Sequence, residues 1–198
     1  MARKARAAVL YDGCYAHVFS RSIEKRRIFP GRQDFAHFKD LFVKAKEKER
    51  EHFFIFHYCF MHTHFHLAVG IRSLEAFSRA MQWVKWQYTR SYNSKYKRWG
   101  PLWRERFKSM LIEDEKYLYA CGSYIEQNPV KAGIVEKSCD WEYSSARHYE
   151  GHYKDNLIDE YEQQGMPEDI DVADEERFMR GWVIGSDWFR YKLQRGIA

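Results

Sequence analysis

The sequence predicts an α+β fold: a mainly antiparallel sheet with helices packed on one face, followed by a mostly helical C-terminal extension. Three observations predict it. Short runs of strand character alternate with long stretches of helical period, in the order strand, helix, strand, strand, helix, strand, helix. The second and third strands are separated only by a tight turn, which makes an antiparallel hairpin the middle of the sheet. Beyond residue 150 the composition turns acidic before apolar periodicity returns near the C-terminus.

Taken in order, residues 1–10 carry Arg3, Lys4 and Arg6 and lead into no long apolar run. They read as a basic arm, and as neither a signal peptide nor a membrane span. Tyr15-Ala16-His17-Val18-Phe19 is rich in strand formers, and the basic stretch Arg21 to Arg27 is a loop closed by Pro30-Gly31. Phe35, Phe38, Phe42 and Ala45 form one stripe of a helix over 35–50, with Lys39, Lys46 and Arg50 off it. Phe53 to Phe60 is nearly continuously apolar, as a strand buried on both faces requires. A turn at Met61-His62-Thr63 leads into a strand from His64 to Val69. There Phe65, Leu67 and Val69 point one way and His64, His66 and Ala68 the other. Were the strand to run on through the turn, His62 would join the second set.

Phe77, Met81, Val84, Tyr88 and Tyr92 recur at helical spacing over 75–95, leaving Arg79, Lys85 and Arg90 elsewhere on the helix. A basic aromatic turn at Lys95 to Pro101 follows, and Leu102 to Ile112 leads into another strand. Asp114 is a candidate N-cap for a helix of 115–127, which Pro129 ends because the residue before a proline avoids the α region. This order is close to the ferredoxin-like plan, whose sheet keeps one face open for a site. Residues 1–150 form the main domain on this reading. Residues 151–198 form an acidic linker and a helical tail that docks on it. Between Asp155 and Glu176 there are ten acidic residues and no Lys or Arg, before Phe178 to Val183 and Trp188 to Leu193 restore apolar spacing.

The net charge of +5 conceals an asymmetry. Residues 1–110 hold 23 Lys+Arg against 9 Asp+Glu, or +14, and residues 111–198 hold 10 against 19, or −9. A first half this basic fits a polyanionic partner, nucleic acid first among them, although a solvated basic face gives the same count. The four cysteines show no CxxC pairing, which fits reduced structural thiols in a cytoplasmic protein.

Three groups of residues could carry chemistry. The strand pair His64 and His66 offers two imidazoles side by side. Alone, such a pair is more often two half-exposed histidines than a site for a divalent metal. Without a nearby cysteine or carboxylate it does not fit a structural zinc, whereas imidazoles plus an oxygen ligand suit Mg or Mn, Mn more so. Tyr124 and Asn128 lie four apart on one helix face, aimed at that site. Tyr124 is either a packing residue or a phenol that a neighbouring cation activates as a nucleophile. Trp99, Trp103 and Phe107, with Lys97, Arg98, Arg104, Arg106 and Lys108, mix stacking surfaces with phosphate-binding charge; Trp103 and Phe107 could equally be core.

With these residues in view, the chain resembles the REP-associated tyrosine transposases, relatives of the single-strand insertion-sequence transposases of the HUH superfamily. The resemblance runs from Tyr15 to Tyr149. It rests on His17-Val18, on Tyr58-Cys59-Phe60-Met61 leading to His64-Phe65-His66-Leu67, on Gly100-Pro101-Leu102-Trp103 with Arg106-Phe107-Lys108-Ser109, on Tyr124-Ile125-Glu126-Gln127-Asn128-Pro129-Val130-Lys131-Ala132-Gly133, and on Trp141-Glu142-Tyr143-Ser144-Ser145. One departure is visible: His62-Thr63 stands where the family usually places Pro-Asn, which bears on the turn but keeps the histidines.

The resemblance implies His64 and His66 as metal ligands, Asn128 completing the coordination, Tyr124 as nucleophile, and Mg or Mn as cofactor. It implies cleavage and rejoining of single-stranded DNA beside a REP-like hairpin through a 5′-phosphotyrosine link, by a monomer or homodimer. Separately from the resemblance, the charge of the first half makes Arg3, Lys4, Arg6, Lys97, Arg98, Arg104, Arg106 and Lys108 the candidate DNA contacts. A non-catalytic binder of DNA or RNA hairpins, and a metal phosphodiesterase that uses water, are the alternatives.

Overall fold

A computed structural model describes residues 10–161 and 183–186, together with Phe189 and Lys192. Its elements are β1 (Cys14–Arg21), α1 (Arg32–Lys48), β2 (Phe53–Met61), β3 (His64–Ile71), α2 (Leu74–Lys95), β4 (Lys108–Ile112) and α3 (Glu115–Glu126). After these come the short α4 (Asn128–Lys131) and α5 (Ala146–Tyr149), and β5 (Val183–Ile184). The strand order is β2-β3-β1-β4-β5, with β5 parallel to β4 and every other pair antiparallel. The expected α+β fold is thus present, built on the βαββαβ order.

The two long helices cover one face. Phe35, Phe38, Phe42 and Ala45 of α1 are buried, as are Phe77, Met81, Val84, Tyr88 and Tyr92 of α2. Phe38 lies against Phe29, Phe60, Phe65, Tyr88 and Trp103, so the apolar side of the hairpin and both helices share one aromatic core. Trp103 and Phe107 are therefore packing residues. Trp103 also bridges to Ser22, which bends residues 102–107 away from extended pairing and delays β4 to Lys108. Lys85 departs from its expected place off the core. It is 9% exposed, and its ammonium donates to Ser20 Oγ (2.8 Å) and to the Glu105 carbonyl (2.9 Å), which satisfies the charge under the Trp103 ring.

The third helix, α3, lies across the opposite face of the sheet, and the histidines point to that side. Its start is capped as expected: Asp114 Oδ1 accepts from Tyr117 N (3.1 Å). The edge of β2 receives hydrogen bonds from Ser145 N and Asp159 N to the carbonyls of Tyr58 and Ile55, and Phe60 N donates to Tyr143 O. On the other side of β1, β4 pairs with β5. Residues 153–161, expected to belong to a linker, include buried Leu157 and Ile158, and Asp155 and Asp159 pair with Lys39 (2.8 Å) and Lys46 (2.7 Å) of α1. The basic arm with Arg3, Lys4 and Arg6, and most of the acidic run, lie outside the described residues. Cys14, Cys59 and Cys121 are buried and Cys139 is half-buried, all as free thiols. No described helix is long and apolar enough to cross a membrane.

Candidate active site

Strand register assembles the site. Because directly opposed residues share a face, Arg21, Phe19 and His17 of β1 stand beside His64, His66 and Ala68 of β3, and Lys108 and Met110 of β4 stand beside Phe19 and His17. On β2, Met61, Cys59 and His57 complete the same rows. The sheet therefore presents His64 and His66, with ring centroids 5.1 Å apart, flanked by His17 and bordered by Arg21 and Lys108.

The turn before His64 is a two-residue connection, His62-Thr63, and neither residue has a positive φ. The loop from β1 holds it: Ser22 N donates to Thr63 O, and Ile28 N and Phe29 N donate to His62 O. His62 Nδ1 faces the Phe29 carbonyl (3.0 Å) and lies beside Arg27, so this imidazole is turned to the loop and away from the HxH pair.

Each imidazole of the pair has its Nδ1 occupied by protein. His66 Nδ1 lies 2.9 Å from His17 Nε2, and His64 Nδ1 lies 2.9 Å from Thr63 Oγ1. With an Nδ1 proton on each ring donated to those partners, Nε2 becomes the lone-pair atom of both. His66 Nε2 is buried and has no hydrogen-bond partner, as a ligating nitrogen without its metal would be.

Burial keeps the rings neutral and hence able to ligate. It lowers His17 to a pKa of about 3. At His64 burial, helped by the Arg21 charge, lowers the value to about 4. His66 is pushed well below the ordinary imidazole value by burial first, then by its two histidine neighbours and Arg21. The donor set therefore fits a divalent cation. His64 and His66 would supply nitrogen ligands, and water or phosphate oxygens would fill the remaining positions.

Tyr124 of α3 stands over this face in the same chain. Its ring is edge-on to His17 at 6.2 Å and to His66 at 6.5 Å, and Lys131 Nζ sits 4.4 Å from its centroid. Asn128 begins α4 one turn later. Its Nδ2 donates to the carbonyls of Tyr124 (3.0 Å) and Ile125 (3.1 Å), so the side-chain oxygen is the atom left to accept or ligate.

What seats α3 is a polar knot that sequence reasoning does not reveal. Glu126 Oε1 accepts from His57 Nδ1 (2.8 Å) and from Ser145 Oγ (2.6 Å), while His57 Nε2 lies 2.8 Å from Tyr161 Oη. Ser145 Oγ in turn accepts from Tyr58 N on the edge of β2. The motif residues around Trp141 explain themselves here as a strap. Trp141 Nε1 donates to Phe60 O, Tyr143 stacks on Phe35 at 3.7 Å, and Ser145 reaches Glu126. Gly122 lets the helix approach, since a Cβ there would overlap the His57 ring.

The expected DNA contacts divide by place. Lys108 borders the histidines and pairs with Glu105 (2.9 Å), Arg104 and Arg106 are exposed in the bend before it, and Lys97 and Arg98 lie in the turn after α2. Sequence reasoning missed His17, Arg21, Glu126 and Lys131 as site residues; the motif segments contain all of these except Arg21. A separate surface trio, Cys139, Glu150 and His152, brings its ligand atoms within 4.8 Å of one another.

Comparisons with known proteins bear on the family and the fold. A family described as "Transposase IS200 like" matches residues 10–128. A "Putative REP-associated tyrosine transposase" of Haemophilus influenzae is 34% identical over 93 residues, covering 41% of this chain and 52% of that relative, so the match spans about half the relative's length. Among solved structures, "Structure of the REP associates tyrosine transposase bound to a REP hairpin" superposes with a TM-score of 0.63 at 19% identity. It covers 86% of this chain and 100% of that one, and shows a shared fold.

Two outcomes follow from the packing and the burial. Gly122→Ala should destabilise the protein by about 1–3 kcal/mol, read as a lowered urea midpoint, because the added methyl must push α3 off His57. An unchanged midpoint would contradict the close seating. Stability of the metal-free protein should also depend on pH. The unfolded chain protonates its histidines near the ordinary 6.5, whereas His17 and His64 resist until about 3 and about 4. The unfolded state thus holds more protons between those values. The stabilisation is complete above about pH 6.5 and is lost as the pH falls through that window. Urea midpoints that stay flat on acidification from neutral to about pH 4 would contradict it.

Proposed function

The chain belongs to the IS200-like transposase family, and from that premise we propose that it is a tyrosine transposase. It cleaves and rejoins single-stranded DNA next to a REP-like hairpin through a 5′-phosphotyrosine intermediate. The observation that carries the proposal is the position of Tyr124, edge-on to the His17–His66 pair within one chain. The relative and the structural neighbour, named for REP-associated transposases and, in the second case, for a bound REP hairpin, support the choice of substrate.

In this reading His64 and His66 hold a Mg or Mn ion through Nε2, with Asn128 Oδ1 as the oxygen ligand from the tyrosine helix. When bound, the ion supplies Lewis acidity to the scissile phosphate. His17 fixes the ring plane and tautomer of His66. Arg21 and Lys108, with exposed Arg104 and Arg106, receive the phosphates of the incoming strand and set it across the face. Tyr124 Oη attacks phosphorus, the P–O3′ bond breaks, and the phenolic proton ends on the departing 3′-oxygen, leaving a free hydroxyl. Lys131, whose ammonium lies over the Tyr124 ring, adds a cation beside the reacting phosphate. The phosphotyrosine ester retains the energy of the broken bond, so a 3′-hydroxyl can reverse the attack without ATP. The nucleophile works within its own chain, whose Tyr124 ring already stands edge-on to its own His17 and His66. A DNA substrate puts this work in the cytoplasm.

The test uses a labelled single-stranded oligonucleotide carrying a REP-like hairpin, incubated with the protein and Mn²⁺. A protein–DNA adduct that survives denaturing gel electrophoresis is expected. Tyr124→Phe or EDTA should abolish it, and His64→Ala should reduce it by about 10²-fold or more, the scale of losing a positioned electrostatic stabiliser. Hairpin binding unaffected by EDTA, with no adduct across a wide hairpin set, would overturn catalysis in favour of a binding protein. Cleavage that persists in Tyr124→Phe would point to water as nucleophile instead.

A further inference from the structure

On the far side of the molecule, the outer stripe of α2 and the turn after it form a groove that the proposed chemistry leaves unused. Two tryptophans stand open there. Trp99 is 92% exposed and Trp86 is 53% exposed, well beyond what a soluble surface needs from its largest side chains. Arg90, one helical turn after Trp86, stacks its guanidinium 4.6 Å over that indole. Lys97 and Arg98 complete a groove of about 600 Å³ whose lining includes no carboxylate. The surrounding sequence is equally one-sided: between Glu75 and Glu105 there are seven Lys or Arg and no acidic residue.

The turn that presents Trp99 is built rather than loose. Lys97 sits at φ 50°, in the left-handed region that a side-chain-bearing residue adopts only under strain, and Gly100 is at φ 87°. Two hydrogen bonds hold it to the helix, Arg98 N to Asn93 O (2.8 Å) and Asn93 Nδ2 to Gly100 O (2.9 Å). In the same seam Asn93 Oδ1 and Arg98 Nη1 are buried without hydrogen-bond partners, an acceptor and a donor beside an open indole. Strained, tied-down backbone that holds an apolar ring in water, with cations around it, is the arrangement that binds unpaired nucleotides. Indoles take the faces of bases, whatever their sequence, and cations follow the phosphates.

We propose that this groove is a second nucleic-acid contact, taking the unpaired strand that flanks the hairpin and stacking its bases on Trp86 and Trp99. The proposal rests on the reading of the substrate as hairpin-bearing single-stranded DNA. Because α2 covers the face of the sheet opposite the histidines, a strand held here is held away from the reacting phosphate. The contact adds affinity and register to substrates with a long flank, and nothing to the chemistry.

The test compares the full chain with Trp86→Ser/Trp99→Ser, both positions being exposed, in EDTA. Fluorescence anisotropy is measured on one hairpin with and without a flank of unpaired thymidines. The expected result is that the variant loses about tenfold or more in affinity for the flanked hairpin, the scale of losing two base stacks, while the minimal hairpin binds both proteins alike. Equal binding of the flanked hairpin by the two proteins would overturn the proposal. So would an equal loss on both substrates, which would assign the groove to the hairpin itself, or a wild-type dimer that the variant abolishes in sedimentation, which would assign it to a second copy of the chain. Adduct formation on the minimal hairpin reports separately on the proposed reaction: it stays at the wild-type level in the variant if only the flank is held here.

Discussion

A single carboxylate governs where the candidate nucleophile stands. Glu126, at the last turn of α3, receives His57 Nδ1 from the sheet and Ser145 Oγ from the strap along β2, both at short range. Because Tyr124 lies two residues earlier on the same helix, the pose of its ring over the histidines is inherited from this knot. A charge that is largely withdrawn from water needs such donors to be tolerated at all. The helix is thus fixed in rotation as well as in distance, and Gly122 removes the one side chain that would hold it off.

The same economy appears in the histidines. Two imidazoles, those of His17 and His66, are almost wholly buried on the site face, where a charged ring would be costly. The two rings share one hydrogen bond, and the nitrogens at its far ends, His17 Nδ1 and His66 Nε2, are buried without partners. The cations around them, Arg21 and Lys108, stand on strands, so they approach a bound strand from fixed positions. Rigid elements on both faces thus define the site: strands for the ligands, a pinned helix for the phenol. The aromatic core under Phe65 keeps the hairpin strand from shifting register, since a slip of one residue would bury the imidazoles among phenylalanines.

Much of this was legible from periodicity. The stripes of α1 and α2, the alternation of β3 and the cap at Asp114 follow from local rules, and the family motifs mark His64, His66, Tyr124 and Asn128 by position. What was not legible depends on contacts distant in sequence. A helical stripe does not say which face of a sheet it covers, so α3 lying opposite α1 and α2 could not be read from its own residues. Lys85 looked like a surface cation because the partners that admit it, Ser20 and the Glu105 carbonyl, come from other segments. His17 sat in a run too short to show a face, and its role arises from pairing with β3. Glu126 gave no local signal, because its partners lie 69 and 19 residues away. The turn at His62-Thr63 departs from the family pattern yet holds its geometry, because the β1 loop clamps both of its carbonyls.

The account's central claim, a divalent ion held between His64 and His66 beneath Tyr124 of the same chain, is tested most directly by anomalous diffraction at the manganese edge from crystals grown with Mn²⁺ and a hairpin oligonucleotide. The predicted result is one strong peak about 2 Å from both Nε2 atoms, on the side that the Tyr124 phenol faces. A peak at the surface trio of Cys139, Glu150 and His152 with none between the imidazoles, or a phenol supplied by a different copy of the chain, would contradict it.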